Sequence, residues 1–215
     1  MKACIFDLDG VLVDTAKYHF IAWRRLANEL GVDFNEHDNE QLKGLSRDAS
    51  LDVILKKGGV SATLEQRTKW MFNKNEWYLE LVHQMNADEV LPNTKELLAD
   101  LKANGCKIAL GSASKNAVLI LERVDIYKYF DAIIDGTKTS KSKPDPEVFL
   151  LGANELGCAP NECIVFEDAI SGVQAAKTGG FYAIGIGSED VLTQADIVFP
   201  SLEGLSFEKL NQIKF

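Results

Sequence analysis

The chain reads as an α/β protein: a doubly wound, Rossmann-like parallel-sheet core carrying an inserted α-helical cap domain. Three observations predict it. A short apolar run at the N-terminus ends on acids; roughly seventy residues of helical, never strand-like, pattern follow; and from Asn93 onward helices and apolar runs alternate in the βα manner. The pattern divides the 215 residues into a core, 1–15 and 87–215, and a cap, 16–86.

Ala3 to Phe6 is predicted to be a buried strand whose carboxyl end delivers Asp7 to the edge where α/β sheets keep their chemistry. If the chain stays near-extended for two more residues, Asp9 faces the same side and Leu8 turns back into apolar packing. Gly10 permits a tight turn and a close approach of backbone N–H groups to an anion. Two carboxylates this close repel unless a cation or a shared proton intervenes. A hard divalent ion with oxygen ligands fits the pair, and magnesium is the one that bridges carboxylates to phosphate.

In the cap, Tyr18 to Leu30 carries Phe20, Trp23, Leu26, Ala27 and Leu30 at helical spacing, with Gly31 as a stop. Ser46 caps a second helix that runs to Gly58-Gly59. Thr63 and Gln66 form a capping box for a long helix through Trp70, Trp77, Leu81 and Met85. In the core, helix 94–104 precedes strand 107–110, and helix 116–123 follows it. Further strands are predicted at 132–134, 164–166, 182–186 and 197–198, with a peripheral tail after Ser201.

Composition narrows the function classes. Thirty-two acids against twenty-three Lys and Arg give a net charge of −9, which disfavours nonspecific binding to nucleic acid or an anionic membrane. No apolar stretch approaches the roughly 20 residues of a membrane helix, and acids interrupt the N-terminus, so a cytoplasmic protein is expected. Cys4, Cys106, Cys158 and Cys163 sit in or beside apolar runs and read as free thiols.

Three further stretches fall at predicted strand ends. Gly111-Ser112-Ala113-Ser114 offers hydroxyls and helix-start N–H groups to a phosphate, although serines also simply cap helices. Lys143 precedes Pro144-Asp145-Pro146, a rigid turn at the head of a helix, where a lysine is also an ordinary solvated one. Glu167-Asp168 adds two carboxylates, which either complement a helix dipole or share a metal with Asp7 and Asp9.

FDLDGVLVDT resembles the nucleophile motif of the haloacid dehalogenase superfamily of aspartyl phosphotransferases, DxDGxxxDT in its sugar-phosphate branch. Strand-Ser-x-Ser, KPDPE and Glu167-Asp168 resemble its second, third and fourth motifs, with Ser142 standing where many relatives have Gly. The resemblance implies Asp7 as nucleophile, Asp9 as general acid/base, Thr15 in the catalytic group, Ser112 on the transferring phosphoryl, and Lys143 paired with Asp7. It implies Mg2+ on the fourth-motif acids Glu167 and Asp168, on Asp7, and on the backbone carbonyl of Asp9.

Tyr18-His19-Phe20 with Trp23, the loop Gln41 to Arg47, and SASKN at 112–116 are similar to the cap helix, cap loop and phosphate loop of the superfamily's glucose-phosphate mutases. By that likeness Arg47 binds the distal phosphate, with Lys43 and Gly44 in the same loop. His19 with Lys74 couples cap closure to Asp9, and Ser114 and Asn116 belong to the binding group. The implied activity interconverts β-glucose 1-phosphate and glucose 6-phosphate through an aspartyl phosphate, with β-D-glucose 1,6-bisphosphate as phosphoryl-donating activator. Small-molecule sugar phosphates are the expected partners of a monomer. A magnesium-dependent phosphatase on the same core is the alternative; a phosphoaccepting regulatory module is a remote one, since it needs no large cap.

Overall fold

The computed structural model describes residues 1–213. Strand β1 (Ala3–Phe6) is followed by the cap helices α1 (Ala16–Glu29), α2 (Glu36–Glu40), α3 (Arg47–Gly58) and α4 (Leu64–Val82). The core then runs α5 (Thr94–Ala103), β2 (Lys107–Gly111), α6 (Ala117–Arg123), β3 (Ala132–Ile134), α7 (Glu147–Leu156), β4 (Cys163–Glu167), α8 (Ile170–Thr178), β5 (Tyr182–Ile186), β6 (Ile197–Phe199) and α9 (Phe207–Asn211).

The six strands form one parallel sheet in the order β3-β2-β1-β4-β5-β6, with β1 at its centre. Its period of two sorts side chains onto opposite faces. Cys4 and Phe6 join Leu97, Leu110, Ile120 and Phe166 in one buried layer, while Ala3 and Ile5 join Phe149, Ala153, Val165 and Val173 in the other. Phe6 stacks on Phe166 with ring centroids 4.4 Å apart. Register then positions the site: Phe6 pairs with both Leu110 and Phe166, so the next residues, Asp7, Gly111 and Glu167, emerge at one level.

The cap has an apolar centre of its own around Trp23, Leu26, Leu51 and Ile54. Its base is continuous with the core, because Ala22, Tyr78, Val82 and Met85 pack in the same cluster as β1. Local signals account for the helix ends. Ser46 Oγ accepts from Ala49 N, Gly59 takes the left-handed conformation after α3, and the Thr63–Gln66 capping box is formed.

Three sequence expectations need correction. The long cap helix stops at Val82 rather than reaching Met85, which is buried just beyond it. Helix α2 has no counterpart in the sequence reading, since EHDNE lacks apolar periodicity and is held by the Asn35–Asp38 capping box. The segment after Ser201 is not peripheral where it is described: Leu202, Leu205 and Leu210 are buried, and Asn93 Nδ2 donates to the carbonyls of Leu202 and Leu205. The last two residues of that predicted tail lie outside the described residues. No helix among the described residues is long and apolar enough to cross a membrane.

Candidate active site

At the centre of the sheet edge, Lys143 Nζ donates to Asp7 Oδ1 at 2.6 Å and also to Glu167 Oε1. The lysine side chain is 1% exposed. Burial alone opposes its charge, but Asp7 and Glu167 outweigh burial, and its pKa is raised above the ordinary value. Burial pushes Glu167 up to about 7 against the pull of Lys143, and Glu167 Oε2 accepts from Ala169 N at 2.8 Å. Asp168 is pushed well above the usual carboxylate range by burial and by the charges of Glu167 and Asp7.

Asp7, Glu167 and Asp168 each offer an oxygen within 4.8 Å of the others. Lys143 and the more distant Lys43 do not balance three converging carboxylates, and hard oxygen donors in this number suit a hard divalent cation. Two glycines allow the crowding. A Cβ on Gly10 would collide with the Asp168 carboxylate, and one on Gly172 with the Glu167 carboxylate. Asp9 turns away from this trio. Its Oδ1 accepts from the Thr15 hydroxyl and lies 3.9 Å from His19 Nε2, and burial followed by the charge of Asp7 raises its pKa to about 6.

The loop after β2 is held by its own hydroxyls. Ser112 Oγ accepts from Ser114 N at 3.1 Å, and Ser114 Oγ accepts from Asn116 N at 3.2 Å. Asn116 precedes α6 without capping it; its amide reaches instead to Asn75 of the cap, 3.0 Å away.

The opposite wall comes from the cap. Lys74 Nζ lies 3.0 Å from His19 Nδ1 and between the rings of Trp23 and Tyr78, at 4.7 and 4.6 Å from their centroids. Burial, then the charge of Arg47, lowers Lys74 to about 7. Burial also drives His19 well below its ordinary pKa, which leaves a neutral imidazole. When Lys74 donates to Nδ1, the ring proton is assigned to Nε2, the nitrogen nearer Asp9. Tyr78 is 1% exposed, its ring packs on His19 at 4.3 Å, and its hydroxyl has no hydrogen-bond partner among the described residues.

Arg47 opens α3 and donates from Nη2 to Asn75 Oδ1 at 2.5 Å. Lys43 stands 3.4 Å from Asp168 Oδ2, and its carbonyl accepts from Ser171 Oγ at 3.3 Å. Gly44 beside it has φ +72°, and a Cβ there would lie 2.6 Å from Ser171 Oγ. The cap loop is thus seated on the start of α8.

One cavity of about 830 Å3, counted to its open mouth, joins the two walls: Asp7, Asp9 and Asp168 on one side, His19, Arg47 and Lys74 on the other. Gly44, Trp23, Ser114 and Asn116 complete it. Ser112 and Lys143 border an adjoining cavity, between the start of α3 and loop 136–143, which shares Arg47, Ala113 and Lys115 with the first. Sequence reasoning missed Asn75 and Tyr78; the only available signal was their place on the same helix as Lys74, one and four residues on.

A family model described as haloacid dehalogenase-like hydrolase matches residues 1–180. The chain is 41% identical to a β-phosphoglucomutase of Bacillus subtilis (strain 168), over 99% of this chain and 95% of that one. It is 34% identical to a phosphorylated carbohydrates phosphatase of Thermotoga maritima, over 86% of this chain and 84% of that one. Among solved structures, a β-phosphoglucomutase from Clostridium difficile aligns with a TM-score of 0.96 and 41% identity, covering 99% of this chain and 96% of that one.

Proposed function

The chain belongs to the haloacid dehalogenase-like hydrolases, and from that premise we propose that it is an enzyme interconverting β-D-glucose 1-phosphate and glucose 6-phosphate, a β-phosphoglucomutase activity. One observation carries the reading. A single cavity is bordered by the Asp7 carboxylate on the core side and by the Arg47 guanidinium on the cap side, which suits a sugar phosphorylated at both ends.

Asp7 attacks the phosphorus: an Asp7 oxygen–phosphorus bond forms, and the bond from phosphorus to the sugar oxygen breaks. Asp9 protonates that leaving oxygen and, in the reverse sense, takes the proton from the attacking sugar hydroxyl. Lys143 holds Asp7 in place and faces the phosphoryl oxygens with Ser112. Mg2+, held by Asp7, Glu167, Asp168 and the Asp9 carbonyl, would neutralise charge on the transferring group. Arg47, with Lys43 beside it, takes the distal phosphate, Ser114 and Asn116 line the floor, and His19 with Lys74 couples cap closure to Asp9.

β-D-glucose 1,6-bisphosphate phosphorylates Asp7 at the start of the cycle, and as intermediate it turns over so that either phosphate meets Asp7. Closure by the cap keeps water from the aspartyl phosphate until a sugar hydroxyl arrives. In this reading the enzyme works as a cytoplasmic monomer whose cap begins near residue 16 and ends near residue 86.

The test supplies β-glucose 1-phosphate, magnesium and a trace of β-D-glucose 1,6-bisphosphate, and records glucose 6-phosphate and inorganic phosphate together. Isomerisation with little phosphate released is expected. Phosphate released at the rate of substrate loss would replace the mutase with a sugar-phosphate phosphatase on the same core.

A further inference from the structure

A run of hydrogen bonds joins the two ends of the cavity. From Ser112 it passes through Ser114 to Asn116, whose Nδ2 donates to Asn75 Oδ1 at 3.0 Å; Arg47 Nη2 donates to that same oxygen at 2.5 Å. The run starts in the core loop after β2 and ends on the arginine of the cap, crossing between the layers at Asn75. Chemistry fixes the amide orientations. A guanidinium has only N–H donors, so the Asn75 atom facing it is the oxygen, and the second group on that oxygen is the nitrogen of Asn116.

Resting on the reading above, we infer that Asn75 is a positioning residue for the anion site of the cap. It aims the Arg47 guanidinium into the cavity while the cap rests on loop 113–116. Asn75 borders neither cavity, so it acts through Arg47 rather than on the sugar. A free arginine side chain spreads over many rotamers, whereas one N–H tied to a fixed oxygen leaves the others preorganised for a phosphate dianion. Binding at Arg47 and seating of the cap are then linked: a ligand that uses the tethered arginine also favours the closed arrangement. A small acyl phosphate has no distal phosphate and does not draw on the link.

The test compares Asn75→Leu, which keeps bulk but loses the acceptor, with Asn75→Asp, which keeps an oxygen for both donors. Three readouts are taken on the whole protein. They are KM and kcat for β-glucose 1-phosphate, the rate at which acetyl phosphate phosphorylates Asp7, and deuterium uptake at residues 46–50 and 113–116 without sugar. In the acetyl phosphate reaction the Asp7 oxygen–phosphorus bond forms and acetate leaves.

Losing one charge-assisted hydrogen bond corresponds to a rise in KM of roughly ten- to a hundredfold for Asn75→Leu. The expected result is that rise, exceeding the fall in kcat, with a defect toward acetyl phosphate about tenfold smaller, faster deuterium uptake in both segments, and Asn75→Asp closer to the parent than Asn75→Leu. An unchanged KM with unchanged uptake, an equal loss on both phosphoryl donors, or an aspartate as poor as the leucine would each overturn the assignment. The parent in the same assay separates the two failures. If it does not isomerise the sugar while Asn75→Leu still raises uptake, the link stands and the glucose-phosphate reading falls; if it isomerises and the leucine matches it throughout, only the link falls.

Discussion

In the core beside the cavity, Lys143 is 1% exposed and bonded to Asp7 and Glu167; on the cap wall, Lys43 is 31% exposed and shared between Glu40 at the end of α2, at 2.9 Å, and Asp168 across the cleft, at 3.4 Å. Both are lysines next to carboxylates, yet they do different work. Removing one member of a buried pair leaves an uncompensated charge and costs about 3–5 kcal/mol, whereas an exposed pair contributes about 0–1 kcal/mol. The core lysine is therefore locked against Asp7 and Glu167, as the proposed phosphoryl transfer requires of a fixed charge. The cap lysine is shared between two carboxylates and held by neither alone. In the proposed function, chemistry rests on the buried core acids and their lysine, and selection on the more exposed cap loop.

The sharpest way to break this comparison is Asp7→Asn. Removing the proposed nucleophile should lower turnover by roughly a thousandfold or more, while sugar phosphate binding, followed calorimetrically, persists through the cap. A variant retaining a tenth of the turnover would mean that the buried wall does not carry the chemistry.

Gly44→Ala probes the junction between the walls. The added methyl meets Ser171 Oγ at a position with φ +72°, so the cap loop cannot seat as it does now. Turnover should fall roughly ten- to a hundredfold, the effect of displacing a positioning layer by about an ångström, with the melting temperature close to the parent. An equal loss of stability and activity would show that the loop supports the fold rather than closure.

The smallest effect concerns the one cap cation that is buried. Lys74 has its folded pKa near 7, below the ordinary 10.5, so between those values the unfolded chain holds a proton that the folded chain lacks. Stability from this group therefore rises with pH across that window, and its burial costs most below pH 7. Lys74→Met removes the cost. Its stability relative to the parent, from urea midpoints, should be most favourable near pH 7 and decline toward about pH 10. A pH-independent difference would mean that the lysine is charged and fully paired in the fold.

Much of the fold was legible because its signals are local. Ser46, Gly59 and the Thr63–Gln66 pair act within one helical turn, and the apolar runs of β1, β2, β4 and β5 needed only their neighbours to read as strands. The acids at 7, 9, 167 and 168 were legible for the same reason, since each lies in or just beyond a strand end. Helix α2 was missed because its capping box stands without an apolar stripe, and the segment after Ser201 because its anchor, Asn93, lies more than a hundred residues earlier.

What the sequence by itself determined is which chemistry is available: carboxylates at strand ends, a lysine before a proline turn, an arginine at the head of a cap helix. What only the tertiary structure decided is who meets whom. Parallel register brought Asp7 level with Glu167, and packing of α4 against α1 enclosed Lys74 between Trp23 and Tyr78. It also put one amide oxygen, on Asn75, between an arginine 28 residues before it and an asparagine 41 residues after it. The physical reason is range. Backbone preference and capping act over a few residues, whereas the free energy that brings distant polar groups together comes from burying the apolar faces behind them, and that sum exists only once the chain has folded.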